Sequence, residues 1–192
     1  ASRGWADDFD ERMRAARARE RLAAARSLPA ADAARRYLDE RSTLPSVADW
    51  LTLRAARVTR DSTVRATLYA GLTTPAAQRA VPRLEAMLRE AADPAGAARW
   101  YAAAGAKVEA LRAQLRRATP ADSAGLRAEL VRAAAGPGEQ GLLAAELLAA
   151  FPELAADERL VVAHRLAVGR PAIAARQFAL VPPAALTSAD RL

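Results

Sequence analysis

The chain has 192 residues, of which 52% are hydrophobic but only 5% aromatic, and it carries a net charge of +7. Its length suits one domain or one repeat array, and no apolar run approaches the roughly 20 residues that a membrane-spanning helix needs. Cysteine is absent, which excludes a disulfide framework and a thiolate metal site and leaves the redox compartment open.

Helix-forming residues dominate the chain, because alanine, leucine, arginine and glutamate are common and β-branched residues are scarce. Prolines mark helix starts, three of them beside a residue that favours the N-cap: Thr74-Pro75, Asp93-Pro94 and Thr119-Pro120. These signals predict an all-α protein with helices near 5–26, 30–41, 45–58, 62–71, 75–80, 82–92, 94–104, 106–117, 121–134, 139–150, 156–167 and 171–179, and a last helix starting at 188.

The predicted helices are amphipathic, with arginine and glutamate opposite an apolar face. In the third helix the apolar face comprises Val47, Trp50, Leu51, Ala55 and Val58. A short helix with one apolar face must bury that face against a neighbour, so we expect successive helices to pack against one another.

A short pattern occurs three times, as LPAADAARRY (28–37), DPAGAARWY (93–101) and GRPAIAARQF (169–178). Each copy has a turn, a proline, an Ala-Ala pair and an aromatic residue three positions after the pair. The pairs begin at 33, 97 and 174, so the intervals are close to twice a helix-pair period. We therefore predict tandem helical hairpins that form a tetratricopeptide-like superhelix (an α-solenoid). In it, residues 93–105 are the second helix of a repeat, and Trp100 and Tyr101 are packing residues.

Arginine supplies all but one of the 29 basic residues, the exception being Lys107. Arginine pairs bidentately with carboxylates and phosphates, so one interpretation is a polyanionic partner. We favour the other, in which the codon bias of a GC-rich genome places arginines on solvated faces. The densest basic run, residues 12–26, spreads its arginines around a helix and is partly neutralised by Glu11 and Glu20. We therefore disfavour nucleic acid as a partner.

Three features of the sequence are candidates for sites of chemistry, and we predict no catalytic, cofactor or metal site from them. His164 is the single histidine and lies by an apolar helix face, which favours a packed or hydrogen-bonded role over a metal ligand. The run GPGEQG (136–141) follows a helix and lacks a subsequent Lys-Ser/Thr, so we predict a loop in which Glu139 caps the next helix. Glu146 lies within LLAAELLAA and suits a general acid of raised pKa, although we favour an ion pair with an arginine on an adjacent helix.

Residues 47–106, with ADWLTLRAA and GAARWYAAAG, and the closing segment HRLAVGRPAIAARQFALVPP…LTSADRL carry a family resemblance over nearly the whole chain. They resemble the α-superhelical N-terminal region of bacterial soluble lytic transglycosylases, which is built from tetratricopeptide-like hairpins. In that family a separate C-terminal lysozyme-like domain carries the catalytic glutamate in a Glu-Ser pair, followed by a Gly-Leu-Met-Gln stretch. Neither motif occurs here, so we expect no glycan cleavage by this chain.

The resemblance implies a periplasmic scaffold that guides or binds peptidoglycan, and a cytoplasmic location stays open as the alternative. We expect residues 1–192 to form a single α-helical repeat domain, a fragment of a longer chain whose C-terminal catalytic domain is missing. The alternative is a tetratricopeptide-like adaptor that binds a protein segment in a concave groove. The candidate ligand-binding residues are Arg99, Trp100 and Tyr101.

Overall fold

A computed structural model describes residues 5–187 and 190, and all regular structure within them is helical. The described chain contains eleven α-helices, in the order α1 (Trp5–Ala24), α2 (Ala30–Asp39), α3 (Ala48–Val58), α4 (Ser62–Ala70), α5 (Pro75–Arg89), α6 (Pro94–Ala103), α7 (Lys107–Leu115), α8 (Pro120–Ala134), α9 (Gly138–Leu148), α10 (Ala156–Leu166) and α11 (Pro171–Ala179). Short 3₁₀ turns lie at Ala25–Ser27, Pro45–Val47 and Pro183–Ala185. The predicted all-α class is confirmed; residue 188, where a last helix was predicted to start, lies outside the described residues.

The predicted N-cap side chains close the first turns of their helices. Asp93 accepts a hydrogen bond from the N–H of Gly96 at 2.9 Å, and the Thr119 hydroxyl accepts from the N–H of Asp122 at 3.3 Å. The Thr74 hydroxyl has the same role at the start of α5. Each bond satisfies a backbone donor that the first turn leaves without a helical partner, so these three predictions are confirmed.

Helix α5 runs through Pro82, where the sequence predicted two helices, 75–80 and 82–92, and that prediction is wrong. Proline removes one backbone hydrogen bond from a helix interior. Here packing on both sides of the proline compensates, since Ala77 lies in a cluster with Leu53 and Leu72, and Ala86 lies in the cluster formed with α6 and α7. The chain divides into two compact units, 1–84 and 85–192, and the division falls within this same helix.

In the first unit α3 is the central helix, because it packs against both α2 and α4. Its core contains Tyr37 from α2 and Leu51 and Ala55 from α3, all buried. A second cluster joins Leu53, on another side of α3, to Leu72 before α5. As a result α3 is buried over most of its circumference.

In the second unit each helix from α6 to α10 packs against the helix that follows it, and α7–α9 and α8–α10 are also in contact. Contacts with the next helix and the next but one are those that stacked helical hairpins make. The main core contains Leu130, Leu148, Val162 and Leu166, all fully buried. The predicted packing of helices in consecutive pairs is confirmed.

The recurring Ala-Ala pattern lies on α2, α6 and α11. The first alanine of each pair is buried, and the aromatic residue is buried or half-buried in all three copies: Ala33 with Tyr37, Ala97 with Tyr101 and Ala174 with Phe178. Residues 93–105 were predicted to form the second helix of a repeat, and the structure differs from that prediction. Helix α6 packs against the following helix, α7, and therefore leads a pair rather than closing one.

Candidate functional site

Several polar side chains bind the backbone at the ends of other helices, and we call these contacts inter-helix clamps. Asp49 of α3 is buried and accepts from the N–H groups of Thr73 and Thr74, at 3.0 and 2.6 Å, immediately before α5. Hydrogen bonds from Thr74, then from Thr73, hold the pKa of Asp49 below its ordinary value. Gln140 of α9 likewise accepts from the N–H of Val108, in the first turn of α7, at 3.1 Å.

The last helices carry a second group of clamps, built from two buried side chains. Gln177 of α11 donates to the carbonyl of Ala149, which ends α9, at 3.1 Å. Its side-chain oxygen accepts from Arg159 of α10 at 3.1 Å, and Arg159 also donates to the carbonyl of Pro152 at 2.5 Å. The buried polar groups Arg159 and Gln177 therefore hold three successive helices together through directed bonds.

The half-buried carboxylate of Glu90, the residue after α5, joins this helix to α6 and α7, and we call this group of contacts the Glu90 centre. Glu90 accepts from the Tyr101 hydroxyl and from Arg112, both at 2.7 Å, and its side chain is 12% exposed. Arg112 also lies over the Tyr101 ring, 5.9 Å from its centroid. Tyr101 is 2% exposed, and this burial, followed by the bond to Glu90, raises its pKa to about 12.

The three sequence-predicted candidates Arg99, Trp100 and Tyr101 point to different surroundings although they are consecutive on α6. Tyr101 belongs to the Glu90 centre. Trp100 is half-buried, and the Arg89 guanidinium covers its ring at 5.9 Å from the centroid. Arg89 is held in turn by Glu85, at 3.1 Å. Arg99 is exposed, so only Arg99 and part of the Trp100 ring reach the surface.

Glu146 and His164 both have partners. Glu146 of α9 lies 2.7 Å from Arg170, immediately before α11, which is the ion pair that the sequence favoured. His164 contacts Asp190 at 2.5 Å, and its ring meets Phe178 edge to face at 5.4 Å. Thr187, first, and then His164 lower the pKa of Asp190 to about 2. The hydrogen-bonded role predicted for His164 is therefore confirmed.

The run GPGEQG is part loop and part helix. Helix α9 begins inside it, at Gly138, whose φ of +77° is the left-handed conformation that glycine tolerates. A Cβ atom on Gly141 would lie 2.2 Å from the carbonyl oxygen of Gly136, so the chain can turn this tightly only with glycine there. Pro137 takes the N-cap position and no side chain caps the helix, so the capping role predicted for Glu139 is wrong.

A surface that sequence reasoning missed lies on α3. Trp50 was assigned to the buried face with Val47, yet Trp50 is 47% exposed and Val47 is 38% exposed. Arg54 and Arg57 are the other exposed residues of α3. We call Trp50, Arg54 and Arg57 the α3 stripe. The available signal was the i, i+4, i+7 spacing of one tryptophan and two arginines on a single helix face.

Charge is distributed unevenly along the chain. Residues 12–84 contain fifteen arginines and six acidic residues, a net charge of +9, and the first eleven residues lower this to +6. Residues 85–192 have a net charge of +1. The basic character of the protein therefore belongs to the first unit, which also contains the α3 stripe.

The second unit has an open groove of about 600 Å³ between α7 and α8. Its lining is mostly small or apolar and includes three charged residues: Ala95, Ala113, Gln114, Arg117, Ala118, Ala121, Asp122, Gly125, Leu126 and Glu129. This volume lies within the range of ordinary ligand pockets. The small side chains of Ala121 and Gly125 leave the groove open along α8.

The chain matches no protein-family model, no curated protein and no solved structure. Across the residues that the structure describes, no group of three or more histidine, aspartate or glutamate side chains could hold a metal ion. Within the same residues, none of the helices combines the length and apolar character needed to cross a membrane.

Proposed function

We propose that this chain is a non-catalytic helical-repeat scaffold that guides or binds cell-wall peptidoglycan. The resemblance to the α-superhelical region of soluble lytic transglycosylases supplies the ligand class and a periplasmic location. In this proposal a separate module performs the cleavage, as in that family.

The observation that carries the scaffold role is the use of polar side chains inside the fold. Asp49, Gln140 and Gln177 bind the ends of other helices, and Arg159 binds the loop before α10, rather than all four converging on a shared cleft. Glu146 is likewise paired with Arg170. Charged groups committed to helix ends and ion pairs fix the arrangement of helices, which is what a binding scaffold requires.

The surface most suited to peptidoglycan is the one around Arg99 and Trp100. Peptidoglycan stem peptides carry carboxylates, which an exposed guanidinium such as that of Arg99 can bind, and an aromatic edge can pack against a sugar. Tyr101 supports this surface from below through the Glu90 centre, because its hydroxyl is fixed by Glu90.

Co-sedimentation with purified peptidoglycan sacculi tests the proposal. The wild-type chain should bind sacculi and release no soluble muropeptides. Arg99→Gln should weaken binding about 5-fold, since one exposed charge contact is worth about 1 kcal/mol. Arg132→Gln, an exposed arginine of α8, is the matched control and should bind as the wild type does. Absence of wild-type binding, or equal loss in both variants, would contradict the proposal.

A second candidate function, a protein-binding adaptor, is favoured by the groove between α7 and α8. Its size and small lining residues would admit a side chain or a short turn of another protein. Gly125→Leu places a large side chain in this groove and should abolish adaptor binding while leaving sacculus binding intact. The effect of Gly125→Leu on binding of a partner protein, compared with its effect on sacculus binding, therefore separates the two candidates.

A further inference from the structure

We propose that the α3 stripe binds an acidic protein segment that carries an apolar anchor. Helix α3 is enclosed by its neighbours except along this line: Leu51, Thr52, Leu53, Ala55 and Ala56 are all buried. At 100° per residue the three stripe residues fall within an arc of about 60°. The exposed face of this otherwise buried helix thus presents one tryptophan and two arginines to solvent.

The stripe has an apolar end and a basic end. Trp50 and Arg57 are separated by about 10 Å along the helix axis, and Val47, in the preceding 3₁₀ turn, extends the apolar end. Within the described residues no carboxylate lies within ion-pair distance of Arg54 or Arg57. A fitting partner places an apolar side chain on Trp50 and carboxylates one and two turns further along.

Charge complementarity identifies the partner as acidic. Residues 12–84 of the first unit, which include the stripe, carry a net charge of +9. Half of the acidic residues in this range already have partners within the chain, because Glu40 pairs with Arg21, Asp61 caps α4 and Asp49 binds the start of α5. The remaining surface is therefore strongly basic and attracts acidic partners over several ångströms.

The composition of the stripe favours a protein segment over a nucleic acid. Tryptophan and arginine are the residues most enriched at the energetic centres of protein–protein interfaces. Proteins that bind single-stranded nucleic acid instead use a series of aromatic rings on which successive bases stack. The α3 stripe offers one ring, Trp50, which suits a single anchor residue.

The probe is a fluorescein-labelled, alanine-based helical peptide of about 18 residues, long enough to form a helix. It carries leucine at one position and glutamate at the i+4 and i+7 positions of the same face. Fluorescence anisotropy at low salt should give saturable binding to the wild-type chain. The same peptide with glutamine in place of both glutamates should bind at least about 10-fold more weakly.

Variants of the stripe locate the binding surface. Trp50→Ala should weaken peptide binding at least about 10-fold, as expected for a central aromatic anchor, and so should the double variant Arg54→Gln/Arg57→Gln. The matched control is Arg35→Gln/Arg79→Gln, which removes the same charge from exposed positions on α2 and α5 and should change binding less than about 2-fold. Circular dichroism of each variant should match that of the wild type.

Three results would overturn the proposal: no binding of the peptide, equal loss in the stripe and control double variants, or displacement of the peptide by an oligothymidylate that binds more tightly. The last result would identify a nucleic-acid surface instead. This proposal does not depend on peptidoglycan binding, because Arg99→Gln should leave peptide affinity unchanged. Failure of one proposal can therefore be distinguished from failure of the other.

Discussion

Removing the Glu90 carboxylate should destabilise the second unit mainly by leaving the O–H donor of the buried Tyr101 without its acceptor. Glu90→Ala deletes the acceptor of two 2.7 Å bonds, from Tyr101 and from Arg112. An unsatisfied buried hydroxyl costs about 2 kcal/mol. Arg112 adds about 1 kcal/mol because its side chain is 34% exposed and water can replace part of the lost contact.

The double variant Glu90→Ala/Tyr101→Phe gives the decisive comparison. Tyr101→Phe alone should cost about 1 kcal/mol, the net value of one hydrogen bond. In the Glu90→Ala background the same change should instead stabilise the fold by about 1 kcal/mol, because it removes the unsatisfied hydroxyl. The double variant should therefore lose about 2 kcal/mol, whereas additivity predicts about 4 kcal/mol.

Urea unfolding measured by tryptophan fluorescence provides the assay. Trp5→Phe/Trp50→Phe makes Trp100 the only tryptophan, so that the signal reports the second unit. With an m-value of about 1.5 kcal/mol/M, Glu90→Ala should lower the midpoint by about 2 M. Additive losses in the double variant would refute the reasoning, because they would mean that Tyr101 and Glu90 stabilise the fold independently.

Two further predictions concern α8, α9 and the Tyr101 hydroxyl. Gly141→Ala should destabilise the second unit by about 2 kcal/mol in the same assay, because its Cβ would collide with the Gly136 carbonyl oxygen; Gly125→Ala, where nothing lies within 4 Å, should instead stabilise it by about 0.5–1 kcal/mol. Because folding raises the pKa of Tyr101 to about 12, its stabilising contribution should be complete below pH 10 and disappear as pH rises towards 12. Phenolate absorbance should show a tyrosine that titrates late and is missing in Tyr101→Phe, and the absence of this late titration from the folded wild-type chain would contradict the prediction.

Helix positions could be predicted from the sequence because their signals are local. Asp93 and Thr119 cap their helices as expected, since an N-cap depends on residues within one turn. Pro82 misled the prediction because the packing that carries α5 through the proline involves Leu53 and Leu72, which are distant in sequence. Whether a proline ends a helix is therefore decided by tertiary contacts that its neighbours in sequence do not reveal.

The exposed surfaces were harder to predict than the helices. Periodicity placed Trp50 beside Leu51 on one broad apolar face, but it could not show which edge of that face a neighbouring helix covers. Arg54 and Arg57 lie on the same side of the helix as Trp50. Two arginines beside the tryptophan indicate that no neighbouring helix covers this edge of the apolar face. Conversely, Trp100 stood out in the sequence, and its ring proves to be covered by Arg89.

The inter-helix clamps complement the packing of the alanine-rich core. An alanine side chain buries little apolar area, so an interface of alanines allows close approach but opposes sliding and rotation weakly. Directed bonds from Asp49, Gln140 and Gln177 to helix ends supply the missing constraint, because each has one geometry in which donor and acceptor meet. The positions of these helices therefore depend on hydrogen bonds as well as on apolar packing.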